Sequence, residues 1–509
     1  MQEFTPIADQ FLITFFPQFF LWKFVHMEII PPAGEEGRLP SVLESLIPII
    51  FMVISLVTGI FFFGTSPHIP LLVSVCVAAL VAMRLGYSWR RVERGMLDAV
   101  RLAMQAVVIL MVIGTIIASW IAGGIVPTLI YYGLNILEPA YFLVAACAIC
   151  CIISIAAGNA WTAAGTIGIA IMGIGYGLGM PPEMVAGAVI SGVYFGDKIS
   201  PLSETTNLAP GIVGVDLFEH IQYMLYTTIP ALIISLILFA ILGYTQASTI
   251  TDSITVTADL QRDLKEIFLI SPWLLLVPSF IIVMMIFKIP AFPGLMIGST
   301  LGVLCAIFIQ DADPSMVLNS LYDGYSITTE NKTLNELLNN GGISAVLSTV
   351  SLVIIAMCFG GILEFTKIFE VIVGHIARKV QSTKSLIIAT VFTGITGNAV
   401  GCDQYMSIII PGRMYADEYR KRGIKAKVLS RTLEDAGTMT SPLIPWNTCG
   451  AFMTATLGVA SFSYLPYAFL CLLSPMIAIV YACTGWTIEH YDDGEKPAKV
   501  RRFRIPKRI

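Results

Sequence analysis

Two polar segments interrupt long apolar stretches of the sequence and carry the side chains best suited to chemistry. The first runs from Gly196 to Asn207 and the second from Leu433 to Asn447. Each contains a carboxylate, several hydroxyls, an amide and a Ser-Pro pair, and proline frees backbone carbonyls where a helix unwinds. Such oxygen clusters suit a small hard cation. The candidate ligands are Asp197, Ser200, Ser203, Thr205, Thr206, Asn207, Asp435, Thr438, Ser441 and Asn447.

Further candidates lie at the turns of two predicted hairpins, one over 140–179 and one over 385–412. The turns carry Asn159 in the first hairpin, and Asn398 with Asp403 in the second. An ionisable residue at membrane depth is a functional hypothesis by default. If the second turn meets the second polar segment, Asp403 and Asp435 form a pair of acids that bind either a proton or Na+. Asp197 is a weaker proton carrier, because an ion pair with the adjacent Lys198 would keep it charged.

Composition shows which elements must position these groups. Of the 509 residues, 56% are hydrophobic and 13% are charged, against about 25% charged residues in soluble domains. The net charge of −4 and the absence of a broad basic surface exclude nucleic acid as a partner. Each charge-free stretch can hold at least one span of about 20 residues. These stretches are 45–83, 102–137, 139–182, 220–251 and 436–488. The sequence therefore predicts an all-α polytopic membrane protein.

The chain also reads as two similar halves. Gly158-Asn159-Ala160 recurs as Gly397-Asn398-Ala399, and Ser200-Pro201-Leu202 recurs as Ser441-Pro442-Leu443. We predict two repeats, each with a re-entrant hairpin and a broken helix. The predicted divisions are an N-terminal extension that is either interfacial or an extra helix (1–40), a first repeat (41–243), a linker (244–265), a second repeat (266–490) and a basic tail (491–509).

Loop charge predicts opposite orientations for the two halves. The loop over 84–101 carries five arginines, whereas the corresponding loop over 311–336 is acidic. Basic loops stay in the cytoplasm, so the repeats are expected to be inverted, with five crossings each. This count predicts that the basic segment 413–431 and the C-terminal tail both face the cytoplasm. The expected location is the inner, cytoplasmic membrane.

The run from Gly192 to Pro210, GVYFGDKISPLSETTNLAP, resembles the signature of NhaC-type Na+/H+ antiporters. The resemblance extends over roughly 38–490. It implies a wider group of ion transporters with inverted repeats that move in an elevator-like manner by alternating access. It also implies ions or substrate near the first polar segment. The expected function is exchange of Na+ for H+, with no cofactor besides the transported ions and with lipid as a partner. The oligomeric state stays open, with a homodimer as one option.

Three other functions compete with this interpretation. An organic-anion exchanger, such as a malate-H+/lactate-Na+ antiporter, resembles the same family, and Lys198 would then bind a substrate carboxylate. An intramembrane aspartyl protease could use Asp197 and Asp435 as an acid/base dyad, but a Gly-x-Gly-Asp motif is absent because Tyr194 precedes Phe195-Gly196-Asp197. A channel explains inverted repeats less well than a carrier does. The sequence therefore favours a transporter over an enzyme.

Overall fold

A computed structural model describes residues 37–136, 138–249, 253–287 and 289–491. In this part of the chain the regular structure is helical, apart from one isolated antiparallel bridge between Ile424 and His490. The helices before residue 250 are α1 (Val42–Val57), α2 (His68–Arg84), α3 (Trp89–Ala122), α4 (Ile125–Ile136), α5 (Pro139–Ala157), α6 (Ala160–Ala163), α7 (Ile169–Gly177), α8 (Pro182–Ile199), α9 (Glu204–Val213) and α10 (Leu217–Thr249).

The later helices are α11 (Ser253–Ile267), α12 (Leu276–Ile286), α13 (Ala291–Phe308), α14 (Pro314–Asp323), α15 (Lys332–Leu338), α16 (Gly342–Phe365), α17 (Ile368–Lys379), α18 (Thr383–Gly401), α19 (Gln404–Lys421), α20 (Ala426–Leu433), α21 (Thr448–Leu457), α22 (Ser461–Tyr464) and α23 (Phe469–Thr484). Short π-helical segments cover Thr58–Phe62, Ala164–Gly168 and Glu434–Thr438. The predicted all-α class is confirmed. Most of the N-terminal extension and of the basic tail lies outside the described residues.

Five helices among the described residues are long and apolar enough to cross a membrane, or up to seven if two bent pairs each count as one span. The five are Val42–Phe62, Trp89–Ala122, Pro139–Ala157, Leu217–Ala247 and Gly342–Phe365. Helix α3 begins at Trp89, before the charge-free stretch 102–137, because much of the arginine-rich segment 84–101 is also helical. The predicted linker 244–265 is largely helical as well, since α10 continues to Thr249 and α11 begins at Ser253.

The two predicted hairpin turns have the same local geometry. Gly158 and Cys402 both adopt left-handed backbone conformations, with φ of 70° and 58°. The next residue caps the following helix in each case. The Asn159 side-chain oxygen accepts two backbone N–H groups of α6 at 2.8 and 3.2 Å, and Asp403 Oδ1 accepts one of α19 at 2.7 Å. Such caps satisfy donors that a helix start would leave unpaired.

The two predicted broken helices are present, with boundaries that differ from the sequence expectation. Helix α8 continues through Gly196 to Ile199, because the Ser200 N–H still donates to the Gly196 carbonyl at 2.9 Å. The break therefore covers only 200–203. In the second case α20 passes into the π-helical segment Glu434–Thr438. A short 3-10 turn, the extended residue Ile444 and a turn over 445–446 then lead to Asn447, which caps α21.

Two large apolar clusters form the core, and each contains a segment from the other end of the chain. The first cluster is built mainly from α3 to α8 but includes α21, through Phe452 and Met453. The second is built mainly from α16 to α20 together with α1 and α2, and it also includes α9, through Ala209 and Val213. Each broken helix thus divides its two segments between the clusters, and the polar breaks lie between them.

Candidate functional site

The end of α8 forms a group of hydroxyls around Asp197. The Ser203 hydroxyl donates to Asp197 Oδ1 at 2.8 Å and lies 3.1 Å from the Thr205 hydroxyl. The Thr206 hydroxyl is 2.9 Å from both the Asp197 and the Lys198 carbonyl oxygens. All five residues are buried. The break after α8 therefore places side-chain hydroxyls beside carbonyls that no longer have helical partners.

Close packing against α5 fixes the position of this helix end. A Cβ atom added to Gly196 would lie 2.4 Å from the backbone nitrogen of Ile155, and one added to Gly192 would lie 2.4 Å from the Cys147 carbonyl oxygen. The Ser200 hydroxyl also donates to the Ile155 carbonyl at 3.0 Å. Small residues allow such close helix contact in membrane proteins. The α8 segment that carries Asp197 and Lys198 is thus held against α5.

Lys198 forms a buried ion pair with Asp435, which lies 237 residues later in the chain. Both side chains are fully buried. The ammonium group also donates to the Ser474 hydroxyl at 3.1 Å, and the Thr227 hydroxyl donates to the same Asp435 oxygen at 2.8 Å. Two buried charges need this pairing, because an isolated charge is strongly unfavourable in a low-dielectric interior. The pair joins the two broken helices.

The π-helical segment beside this pair contains carboxylate and hydroxyl oxygens without hydrogen bonds of standard geometry. Among partners in the described residues, none forms such a bond to either carboxylate oxygen of Glu434, to Oδ2 of Asp435 or to the hydroxyl of Thr438. All three side chains are fully buried. The Thr438 hydroxyl approaches the Glu434 carboxylate in a loose hydrogen bond, and Asp197, Lys198 and Asp435 lie within electrostatic range of it. Buried polar atoms normally have partners, and π-bulges occur frequently at functional sites.

Asn398 connects the second hairpin to the second broken helix. Its amide nitrogen donates to the Gly437 carbonyl and to the Thr440 hydroxyl, the latter at 2.9 Å. Its side-chain oxygen accepts from the Ser407 hydroxyl at 2.6 Å and from the Asn447 amide at 3.2 Å. The side chain is fully buried. Asn398 therefore holds the end of the π-helical segment and the start of α21 in one network.

Asp403 and its neighbour Gln404 make further contacts to the same broken helix. The Thr448 hydroxyl donates to Asp403 Oδ2 at 3.2 Å. Gln404 Oε1 accepts from the Ser441 hydroxyl at 3.3 Å. The Tyr405 hydroxyl, one residue further, donates to the Glu204 carboxylate at the start of α9. These contacts place the second hairpin turn against both polar breaks.

The predicted site residues thus fall into three neighbouring groups. Asn398, Asp403, Ser441 and Asn447 belong to the hairpin network, Asp435 and Thr438 to the π-helical segment, and Asp197, Ser203, Thr205 and Thr206 to the end of α8. Ser200 contacts α5, Asn159 serves as a helix cap, and the Asn207 amide donates to the Pro201 and Ser203 carbonyls at 2.8 and 2.6 Å. Their roles in binding stay predictions.

Asp403 and Asp435, which the sequence suggests as a pair, have different side-chain partners. Asp403 contacts Thr448 and the α19 backbone, whereas Asp435 contacts Lys198 and Thr227. The described contacts give the two acids no common partner. Lys198, considered from sequence as an ion partner of Asp197, instead binds Asp435. The exchange role of both acids stays a prediction.

Sequence reasoning missed several residues of this site. Glu434 precedes a predicted ligand, but its burial could not be read from the sequence. Thr227 and Ser474 lie within apparently ordinary spans. The only unusual feature nearby in the sequence is a proline, Pro230 three residues after Thr227 and Pro475 one residue after Ser474. Arg431 reads as part of a basic cytoplasmic loop, yet it is fully buried with Nε 3.8 Å from Asp435 Oδ2.

In the part of the chain that is described, no three His, Cys, Asp or Glu side chains are grouped as a metal site.

Comparison with known proteins gives consistent matches. A family described as "Na+/H+ antiporter family" matches residues 192–486. The Na+/H+ antiporter NhaC of Alkalihalophilus pseudofirmus is 40% identical over 85% of this chain and 94% of its own length. The malate-2H+/Na+-lactate antiporter of Bacillus subtilis is 39% identical over 89% of this chain and 96% of its own length. The Na+/H+ antiporter NhaC of Bacillus subtilis is 37% identical over 85% of this chain and 95% of its own length.

Proposed function

This chain belongs to the Na+/H+ antiporter family, and we propose that it exchanges Na+ for H+ across the cell membrane by alternating access. The observation that carries the proposal is the fully buried π-helical segment Glu434–Thr438, in which both carboxylate oxygens of Glu434 and Oδ2 of Asp435 lack a hydrogen bond of standard geometry among the described residues. Oxygens in this state can accept either a proton or a small hard cation. A group that binds only one of the two at a time couples their gradients.

Asp435 and Glu434 are the exchange groups that this geometry supports best. A buried carboxylate without a counter-charge is strongly unfavourable, so each must hold a proton, a metal cation or a protein cation. In the present conformation Lys198 supplies that cation to Asp435. We infer that arriving Na+ takes the place of the ammonium group on Asp435, while Ser474 retains Lys198 by its hydrogen bond. Protons compete for the same oxygens.

The remaining predicted residues supply supporting oxygens in this proposal. Asp197, with the Ser203 and Thr205 hydroxyls, lies within electrostatic range of Glu434 and offers a second group of hard ligands. Asp403 retains its predicted role in proton exchange, but its carboxylate already caps α19 and accepts from Thr448. We therefore expect loss of Asp403 to weaken exchange less than loss of Asp435.

We further propose that the two halves form inverted repeats that move in an elevator-like manner. The recurrence of a left-handed turn followed by a capping Asn or Asp supports duplication. The arginine-rich start of α3 and the acidic 311–336 segment support opposite orientation. The same charges favour a cytoplasmic C-terminus. The predicted repeat boundaries, 41–243 and 266–490, and an assembly as a homodimer belong to this proposal.

Reconstitution tests the proposed function directly. The purified protein is placed in liposomes that enclose a pH-sensitive dye, and proton flux is recorded after pulses of Na+, Li+ and K+. Glu434→Gln and Asp435→Asn should each reduce the Na+-driven flux by more than ten-fold, because a neutral amide cannot exchange a proton for Na+. Their matched controls are Glu418→Gln and Asp417→Asn, which alter ion-paired carboxylates on the surface of α19. Normal flux in both site variants contradicts the assignment.

Exchange of organic anions is a second candidate, because two buried cations, Lys198 and Arg431, lie beside the acids. One relative of nearly equal similarity is named a malate-2H+/Na+-lactate antiporter. In the same liposomes, proton flux with Na+ and no organic solute supports the cation exchanger. Flux that appears only after malate or lactate is added favours the organic-anion exchanger.

A further inference from the structure

The residues after α23 form a short strap, Gly485–Tyr491, that lies along the 423–427 segment. Ile424 and His490 form an antiparallel bridge. The Lys425 N–H donates to the Glu489 carbonyl at 2.9 Å, and the Tyr491 N–H donates to the Gly423 carbonyl at 2.8 Å. The strap is therefore fixed by backbone hydrogen bonds to the segment that leads into α20.

Ion pairs hold the same strap from the side. Glu489 lies 2.7 Å from Lys427 Nζ and 3.7 Å from Lys425 Nζ, and Lys427 also lies 3.2 Å from Glu219 at the start of α10. The Tyr223 hydroxyl donates to the Thr487 carbonyl. The strap thus links the beginnings of α10 and α20, the two helices that carry Thr227 and lead into Glu434.

Thr487 connects this strap to a buried charge. It adopts a left-handed backbone conformation with φ of 59°, which is uncommon for a β-branched residue. Its hydroxyl accepts a hydrogen bond from Arg431 Nη1 at 2.9 Å. The Arg431 guanidinium is also placed over the rings of Tyr223 and Tyr481, at 4.6 and 5.8 Å from their centroids. The guanidinium is thus held by the strap at one end and by two aromatic rings at its face.

The restrained guanidinium stops short of Asp435. Arg431 Nε is 3.8 Å from Asp435 Oδ2, which is too long for a hydrogen bond. Across the described residues neither Nε nor Nη2 of Arg431, nor Oδ2 of Asp435, has a hydrogen-bond partner. Charge-assisted hydrogen bonds between arginine and carboxylate groups are about 2.7–2.9 Å long and stronger than neutral ones. A small displacement of the guanidinium would complete such a bond, and the contact to Thr487 opposes it.

We propose that Thr487 is a positioning residue that holds the Arg431 guanidinium away from Asp435 Oδ2 and so keeps that oxygen open to the transported cation. This inference rests on the proposed function, in which Asp435 receives Na+. Arginine keeps its charge at all working pH values, so release of the guanidinium would place a permanent competitor on the binding oxygen. The strap thereby sets the apparent Na+ affinity.

The test measures proton flux against Na+ concentration for Thr487→Val and Thr487→Ser. Valine has the same branched shape without the hydroxyl, and we expect it to raise the half-saturating Na+ concentration about ten-fold while the maximal rate stays near that of the wild type. Serine retains the hydroxyl and should restore the wild-type value. A Thr487→Val protein with unchanged half-saturation, or one whose maximal rate alone falls, contradicts the inference. So does a serine variant that behaves like valine.

Two further comparisons separate positioning from a purely structural effect. In an Arg431→Gln background the Thr487→Val change should leave half-saturation unaltered, because the competing cation is gone. Glu489→Gln loosens the strap without touching a buried group and should raise half-saturation about two-fold, whereas the control Glu418→Gln should not. If Thr487→Val does not fold, Glu489→Gln decides, and a wild-type value there overturns the inference.

The Asp435→Asn variant distinguishes failure of this inference from failure of the proposed function. If Asp435→Asn protein that is folded by its tryptophan fluorescence shows no Na+-driven flux while Thr487→Val leaves half-saturation unchanged, only the positioning role is wrong. If Asp435→Asn retains normal flux, the assignment of Asp435 as the cation site is wrong, and the positioning role is wrong with it.

Discussion

Removing one charge of the Lys198–Asp435 pair should destabilise the protein strongly and unequally. Both side chains are fully buried, and breaking a buried pair costs about 3–5 kcal/mol in the free energy of unfolding. The two substitutions leave different charges behind. Lys198→Met leaves Asp435 with the Thr227 hydroxyl at 2.8 Å and Arg431 at 3.8 Å. Asp435→Asn removes the carboxylate that two buried cations, Lys198 and Arg431, share.

We therefore expect a loss of about 3 kcal/mol for Lys198→Met and about 5 kcal/mol for Asp435→Asn. The double variant should be less destabilised than the sum of the two, by at least about 2 kcal/mol, because neither charge is left without its partner. This order is not obvious from side-chain volume, since asparagine is the closer replacement in shape.

Equilibrium unfolding of the purified protein in mixed micelles measures these differences, with intrinsic tryptophan fluorescence as the signal. Lys421→Met is the matched control, because Lys421 pairs with Glu418 on the surface of α19 and its side chain is 68% exposed. Exposed pairs contribute little, so its curve should superimpose on that of the wild type. Additive losses in the double variant, or a larger loss for Lys198→Met than for Asp435→Asn, would refute the reasoning.

Three other changes follow from the packing and hydrogen bonds of the site. Gly196→Ala places a Cβ atom 2.4 Å from the α5 backbone and should lower the free energy of unfolding by about 1–3 kcal/mol or more. Its control is Gly211→Ala, which has nothing within 4 Å of the added atom and should be neutral or stabilising by about 0.5 kcal/mol. Unfolding curves in the same micelles compare the two variants. Asn398→Ala leaves several buried groups unpaired and should cost about 3 kcal/mol together with most of the flux in liposomes. Ser203→Ala removes a hydroxyl from Asp197 and should raise the half-saturating Na+ concentration several-fold in the flux assay, while Ser203→Thr should not.

The helical class and the polar breaks could be predicted because they depend on local sequence. Apolar runs, Ser-Pro pairs and capping Asn or Asp residues act within a few positions, so the turn at Gly158 and the break near Ser200 follow from neighbouring residues. The exact end of α8 could not be predicted from the sequence, because its last helical hydrogen bond forms despite the polar character of Asp197 and Lys198.

The ionic contacts of the site depend on tertiary packing and are not encoded locally. Lys198 is adjacent to Asp197 in sequence, yet it binds Asp435 because the first and second broken helices meet. Arg431 lies in a basic segment whose composition suggests solvent exposure. In the structure, Tyr223 near the start of α10 and Thr487 of the strap enclose its guanidinium group. Such pairings follow only from the arrangement of the helices.

The division of each broken helix between two apolar clusters has a consequence for membrane insertion. Helix α9 is made early, but its buried face contacts α19 and α20, which are synthesised roughly 200 residues later. Helix α21, near the end of the chain, completes the cluster that α3 begins. Neither part can reach its final packing while the ribosome is still extending the chain. The nascent protein must therefore wait, partly assembled in lipid, until its last helices arrive.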